Sequence, residues 1–187
     1  MRKSAAVITS VAWFVVTGGV GAVLVPWWLT GWRLRHPLPY WSVAEAVGGL
    51  LIVAGVITAV HVFVQFVRAG GTPMPGAMTA CLVVTGFNRH VRNPIYLAAM
   101  TIFVGEALLF GQLSMLLYTI AVWAGAAAFV RWYEEPALAA RFGADYEAYR
   151  RAVPAWRPLL RPWTAKDADT RDVGTGGASG LAHDHDG

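Results

Sequence analysis

Residues 5–29 contain no charged side chain, and no other feature restricts the fold as much. The run exceeds the roughly 20 apolar residues that a helix needs to cross a bilayer. It is long for a secretory leader, and no clean small-residue cleavage site precedes Pro26, Trp27 and Trp28, so a retained helix is expected. A second run, 43–67, carries only Glu45, His61 and a few neutral polar groups. Runs at 95–110 and 113–130 follow, separated only by Gly111 and Gln112. Each is short for a span, and the tight turn between them implies a helical hairpin with local thinning of the bilayer. With 56% hydrophobic residues and 14% charged ones, the chain is too apolar for an ordinary soluble domain. The expectation is an all-α integral membrane protein with about four transmembrane helices, at 5–29, 43–67, 95–110 and 113–131. A C-terminal cytoplasmic amphipathic helix is expected at 136–151. Residues 1–164 then form the membrane domain, and the Gly/Asp/Ala-rich tail, 165–187, is expected to be disordered.

Charge gives the orientation. Of the 15 Lys and Arg residues, only Arg33 and Arg35 fall between the first two runs; the rest lie at the N-terminus, in 68–94 and after 130. Positive charge stays on the cytoplasmic side, so both termini are expected in the cytoplasm, with Trp27, Trp28 and Trp32 at the outer interface. The net charge of +4 conceals an aspartate-rich tail behind a more cationic body. That body suits anionic lipid better than nucleic acid, because its cations sit at helix ends. The lone Cys81 excludes an internal disulfide and reads as a small buried residue. The terminal His and Asp residues read as solvated tail.

Two polar clusters interrupt the apolar pattern. The first, Arg89 to Tyr96, precedes the third run. Pro94 keeps Asn93 out of the helical region and suits a first helical turn, so Arg92 and Asn93 stand just ahead of a helix N-terminus, which attracts anions. The second cluster is Arg131 to Glu135. A hairpin brings the two clusters together, and Arg131 and Glu135 are spaced to pair along one helical face. Beyond them, Pro136 can open a helix with Gly143 as a C-cap. Phe142, Tyr146 and Tyr149 fall on one face and Glu147, Arg150 and Arg151 on another, as in a helix lying on a membrane surface. From the residues alone these clusters are either a belt of charges anchoring the hairpin or the walls of a site. His61 and His90 read as packed or interfacial, and Glu45 and Glu106 lie toward the outer face, outside any such site.

The stretches "GTPMP", "LVVTG", "VRNPIYL", "GEALL", "YEEPALAARFGADYEAY" and "VPAWRP" occur in this order over 71–158. Together they resemble the bacterial members of the isoprenylcysteine carboxyl methyltransferase family, grouped with the phospholipid methyltransferases. The resemblance implies a bacterial inner-membrane enzyme that uses S-adenosylmethionine. The cofactor-pocket residues it implies are Arg92, Asn93, Pro94, Tyr96, Glu134 and Glu135, and Tyr146 is a further candidate for binding the cofactor. Glu135, Arg131 and Arg151 are the candidates for the chemistry and for orienting an acceptor. Asn93 stands where the eukaryotic enzymes carry His, and an amide cannot titrate near neutral pH, so the expectation at that position is a cofactor contact without proton transfer. Tyr96, Trp132, Tyr146 or Tyr149 could offer ring faces to adenine or to a sulfonium. The implied acceptor is lipophilic: a prenylated cysteine carboxylate, an isoprenoid acid, a phospholipid amine or a small thiol. An NADPH-dependent membrane reductase and a non-catalytic scaffold are the competing expectations.

Overall fold

In the computed structural model, residues 11–12, 14–68, 82 and 84–164 are described. The expected helix start at residue 5, Cys81 and the 165–187 tail lie outside them. Four apolar helices occur: α1, Phe14–Thr30; α2, Ser42–Arg68; α3, Pro94–Phe110; and α4, Leu113–Ala152. A short 3-10 turn, Gly86–Arg89, precedes α3. No strand occurs among the described residues. By length and composition α2 and α4 are able to cross a membrane, and α1 and α3 are shorter apolar helices.

The tightest packing is between α2 and α3, and small residues make it possible. A Cβ built on Gly48 would stand 2.6 Å from the Gly105 carbonyl oxygen, and one on Gly105 would stand 2.7 Å from that of Gly48. Bare backbone at both positions lets the two helices touch, the usual device where apolar surroundings give no hydrophobic drive to associate. The other faces of the helices are apolar and outward, as at Leu50, Ile57, Leu113 and Ile120.

At one end, the turn between α3 and α4 is held by the loop that follows α1. The Arg35 amide donates to the Phe110 carbonyl at 2.9 Å, the Trp41 indole to Leu108 O at 3.0 Å, and Gln112 Nε2 to Arg33 O at 2.6 Å. Gly111 closes the turn at φ 59°, in the left-handed region that favours glycine. α1 is tied in by the Tyr118 hydroxyl, which donates to Gly21 O at 2.9 Å.

Both α1 and α4 contain a π turn, Val20–Leu24 and Val130–Glu134. Each sits just before a proline, Pro26 and Pro136. A proline inside a helix removes a donor and crowds the preceding turn, and a widened turn upstream relieves that crowding. In α4 the Glu135 amide accordingly reaches back to Val130 O. The expected break between 131 and 136 is therefore a π turn within one long helix. The chain bends instead at Gly143, whose φ of 53° and ψ of −125° are not helical.

Gly105→Ala is expected to separate α2 from α3 at a cost of about 1–3 kcal/mol, the usual penalty for overpacking. Gly125→Ala, where a Cβ meets nothing within 4 Å, is expected to cost nothing. Thermal unfolding of the two variants in the same detergent checks this: equal midpoints would refute the close approach.

Candidate functional site

The two polar clusters meet at the end where α3 begins. α3 opens at Pro94, with the Leu97 amide bonded to Asn93 O at 3.2 Å. Ahead of it, residues 84–93 form an irregular turn seated on α2. Gly86 takes a left-handed φ of 52°, and the Gln65 side chain fills the space where its Cβ would be. His61, on the same face of α2, bonds Gln65 Nε2 at 2.6 Å and packs edge-on against Phe87.

A third segment completes the site. Residues 153–163 leave α4 and run back along 88–93 as a strap. The Arg92 amide donates to Pro154 O at 3.0 Å, the Leu159 amide to His90 O at 2.8 Å and the Trp163 amide to Arg89 O at 2.9 Å. The side chains of the same three residues double these bonds. Arg92 Nε donates to Val153 O at 2.9 Å, His90 Nδ1 to Leu159 O at 2.8 Å and Arg89 Nε to Trp163 O at 2.8 Å. Asn93 Nδ2 reaches Ala155 O at 3.2 Å. Pro154, Pro158 and Pro162, spaced by four, were the available signal that this stretch is extended.

The two adjacent glutamates have different surroundings. Glu135 is buried, with Arg92 Nη1 at 2.5 Å from Oε1 and Arg150 Nε at 3.8 Å from Oε2. Glu134 accepts one hydrogen bond, from the Tyr96 hydroxyl at 3.0 Å. Among the described residues no cation lies within ion-pair distance of it. Burial pushes its carboxyl above the ordinary range; the Tyr96 hydroxyl draws it partly back, and the charge of Glu135 adds to the rise. The Trp156 ring, 6.3 Å from that of Tyr96, stands at the same wall. Trp156 was missed as a site residue, because nothing local in the sequence ties the strap to α3.

Other expected members are placed differently. Arg131 does not pair with Glu135: it is exposed, while Glu135 is held by Arg92 and Arg150. Four-residue spacing aligns side chains only on an α-turn, and the π turn breaks that alignment. Arg151 and Trp132 are exposed as well. Tyr146 and Tyr149 are buried under the strap with Val153, against Phe142, Leu159 and Trp163. The aromatic face of this part of α4 is thus turned into the protein, not onto a membrane surface. The Tyr146 hydroxyl accepts from Arg92 Nη1 at 3.2 Å, and that of Tyr149 donates to Asn88 O at 2.6 Å. Burial raises both phenols above their ordinary range, and Arg92 opposes the rise. Glu45 pairs with His36 at 2.7 Å, and Glu106 is buried near the other end of α3.

No curated protein and no solved structure matches the chain. The family model for phospholipid methyltransferase matches residues 43–145, more than half of the chain. The matched span contains α2, the hairpin, the Arg92 to Tyr96 stretch and both glutamates, and its apolar helices fit a membrane enzyme. On that match the chain belongs to the phospholipid methyltransferase family, a family of membrane methyltransferases.

Proposed function

We propose that the protein is an S-adenosylmethionine-dependent methyltransferase that modifies a lipophilic acceptor at the cytoplasmic face of the membrane. In this reading α1 to α4 are four spans, both termini are cytoplasmic, residues 1–164 are the enzyme and 165–187 a tail. The second half of α4 and the strap then lie at the inner surface. A bacterial inner membrane and the isoprenylcysteine carboxyl methyltransferase branch fit the resemblance.

The observation that carries this reading is Glu134, a largely buried carboxyl group with a hydroxyl for a partner and, among the described residues, no cation. A buried anion is costly unless it is paired, and a cationic ligand would offset that cost. S-adenosylmethionine fits, since it brings an ammonium and a sulfonium; when bound it supplies an electrophilic methyl group. Glu134 would balance the positive charge, and Tyr96 and Trp156 would offer ring faces beside it. Arg92, Asn93 and Glu135 act one step back. Arg92 and Glu135 lock the start of α3 to α4, Asn93 fastens the strap, and Pro94 sets the entry angle. Tyr146 supports Arg92 from beneath. Transfer to an acceptor that is already anionic needs little acid–base help, so positioning and exclusion of water supply most of the acceleration. An ammonium or thiol acceptor must first lose a proton, and Glu134 is the carboxylate best placed to take it. The exposed Arg131 and Arg151 are available to an acceptor carboxylate or phosphate arriving from the lipid side.

Side-by-side titration of purified protein with S-adenosylmethionine and NADPH tests the reading. Saturable binding of the first and not the second is expected; the reverse would establish the reductase, and binding of neither a scaffold. Glu134→Gln is expected to weaken S-adenosylmethionine binding roughly tenfold to a hundredfold, the worth of a bond to a charged group, while the unfolding midpoint of the ligand-free protein does not fall, because an uncompensated charge has been removed. Glu135→Gln is expected to do the opposite first: it leaves Arg92 buried without its counter-charge and lowers stability by roughly 3–5 kcal/mol. Equal effects of the two substitutions on both measurements would contradict this division of roles.

A further inference from the structure

A cleft of about 310 Å³ opens between the Gly86–Arg89 turn and the end of the strap, lined by Val84, Thr85, Gly86, Arg89, Trp163 and Thr164. None of the residues already assigned to the methyl-transfer site lines it. Among the described residues its polar side chains are one guanidinium and two hydroxyl groups, with no carboxylate. Arg89 Nε is bonded to Trp163 O, which fixes the guanidinium at the cleft wall, and among the described residues no carboxylate pairs with it. Trp163, one of the lining residues, has its indole Nε1 buried without an acceptor among the described residues.

We infer that this cleft binds an anionic group, a carboxylate or a phosphate, against Arg89. A wall with a guanidinium and, among the described residues, no carboxylate is electrostatically complementary to an anion, and a guanidinium is the side chain best shaped to grip one with two parallel bonds. Arg92, the arginine that the sequence offers for this task, is already committed: Nη1 serves Glu135 and Tyr146, and Nε serves Val153. Val84 and the Trp163 indole give the cleft an apolar side, so the anion it suits is one end of a larger, partly apolar molecule. Two sources carry that chemistry, the carboxylate of S-adenosylmethionine and the phosphate of a lipid headgroup. The involvement of the cleft in methyl transfer rests on the function proposed above; its affinity for an anion does not.

The test separates these. Thermal unfolding is first followed in sulfate against chloride at equal ionic strength, for the wild type, Arg89→Lys and Arg89→Gln. An upward shift specific to sulfate is expected in the wild type, retained in part by Arg89→Lys and absent in Arg89→Gln. Arg89→Lys loses the Nε bond to Trp163 but keeps the charge, so equal behaviour of Lys and Gln would assign Arg89 a purely structural role and overturn the inference. Binding is then measured with S-adenosylmethionine, with its decarboxylated form, and with phosphatidylglycerol vesicles. If the cofactor's carboxylate occupies the cleft, Arg89→Gln weakens S-adenosylmethionine roughly tenfold to a hundredfold and leaves the decarboxylated form unchanged. If a headgroup occupies it, only vesicle binding falls. No change in any of the three would also overturn the inference, even if S-adenosylmethionine binds the protein tightly.

Discussion

The interaction on which this end of the molecule depends is the pair of Arg92 and Glu135. The two residues are 43 positions apart, one just before the hairpin and one near its return. Both side chains are about nine-tenths buried. Charges withdrawn from water this far are tolerable only when paired and further hydrogen-bonded, and the further bonds come from Tyr146 and Val153. The pair therefore joins the mouth of α3, the lower half of α4 and the first residue of the strap in one arrangement. Breaking it would free all three.

With Glu135 saturated, its neighbour is left with a different part to play. Two consecutive carboxylates at one helix turn repel each other, and only one of them has arginines. A charge on Glu134 beside Tyr96 has no arginine opposite it among the described residues, which is unfavourable for the protein alone and favourable for a cationic ligand. Proline creates the geometry. Pro136 widens the preceding turn, and the widened turn withdraws Arg131 from Glu135, so Arg92 and Arg150 take that carboxylate. The kink at Gly143 then turns Tyr146 and Tyr149 under the strap, where they support the loop from below.

Much of this was legible in the sequence, and the part that was not has a common cause. Apolar runs marked α2, α3 and the start of α4 to within a residue or two, because helix length and composition are local properties. Pro94 marked the entry to α3, and the hairpin implied that the polar clusters would meet; Tyr96 and Glu134 at 3.0 Å show that they do. The pairing of the strap was not legible, since its bonds join residues 61 to 74 positions apart and follow no period. The pairing of Arg131 with Glu135 failed because four-residue spacing presumes an unbroken α-helix. The aromatic spacing of Tyr146 and Tyr149 identified a face correctly but not what covers it: periodicity does not distinguish a membrane surface from the protein's own chain.

The most direct test of the site is ultraviolet crosslinking of methyl-labelled S-adenosylmethionine to the protein in bilayers, followed by peptide mapping. Saturable label is expected on the peptides that carry Tyr96 and Trp156, displaced by excess unlabelled cofactor. Label confined to α1 or α2, or label that no excess of cofactor displaces, would contradict a cofactor site beside Glu134.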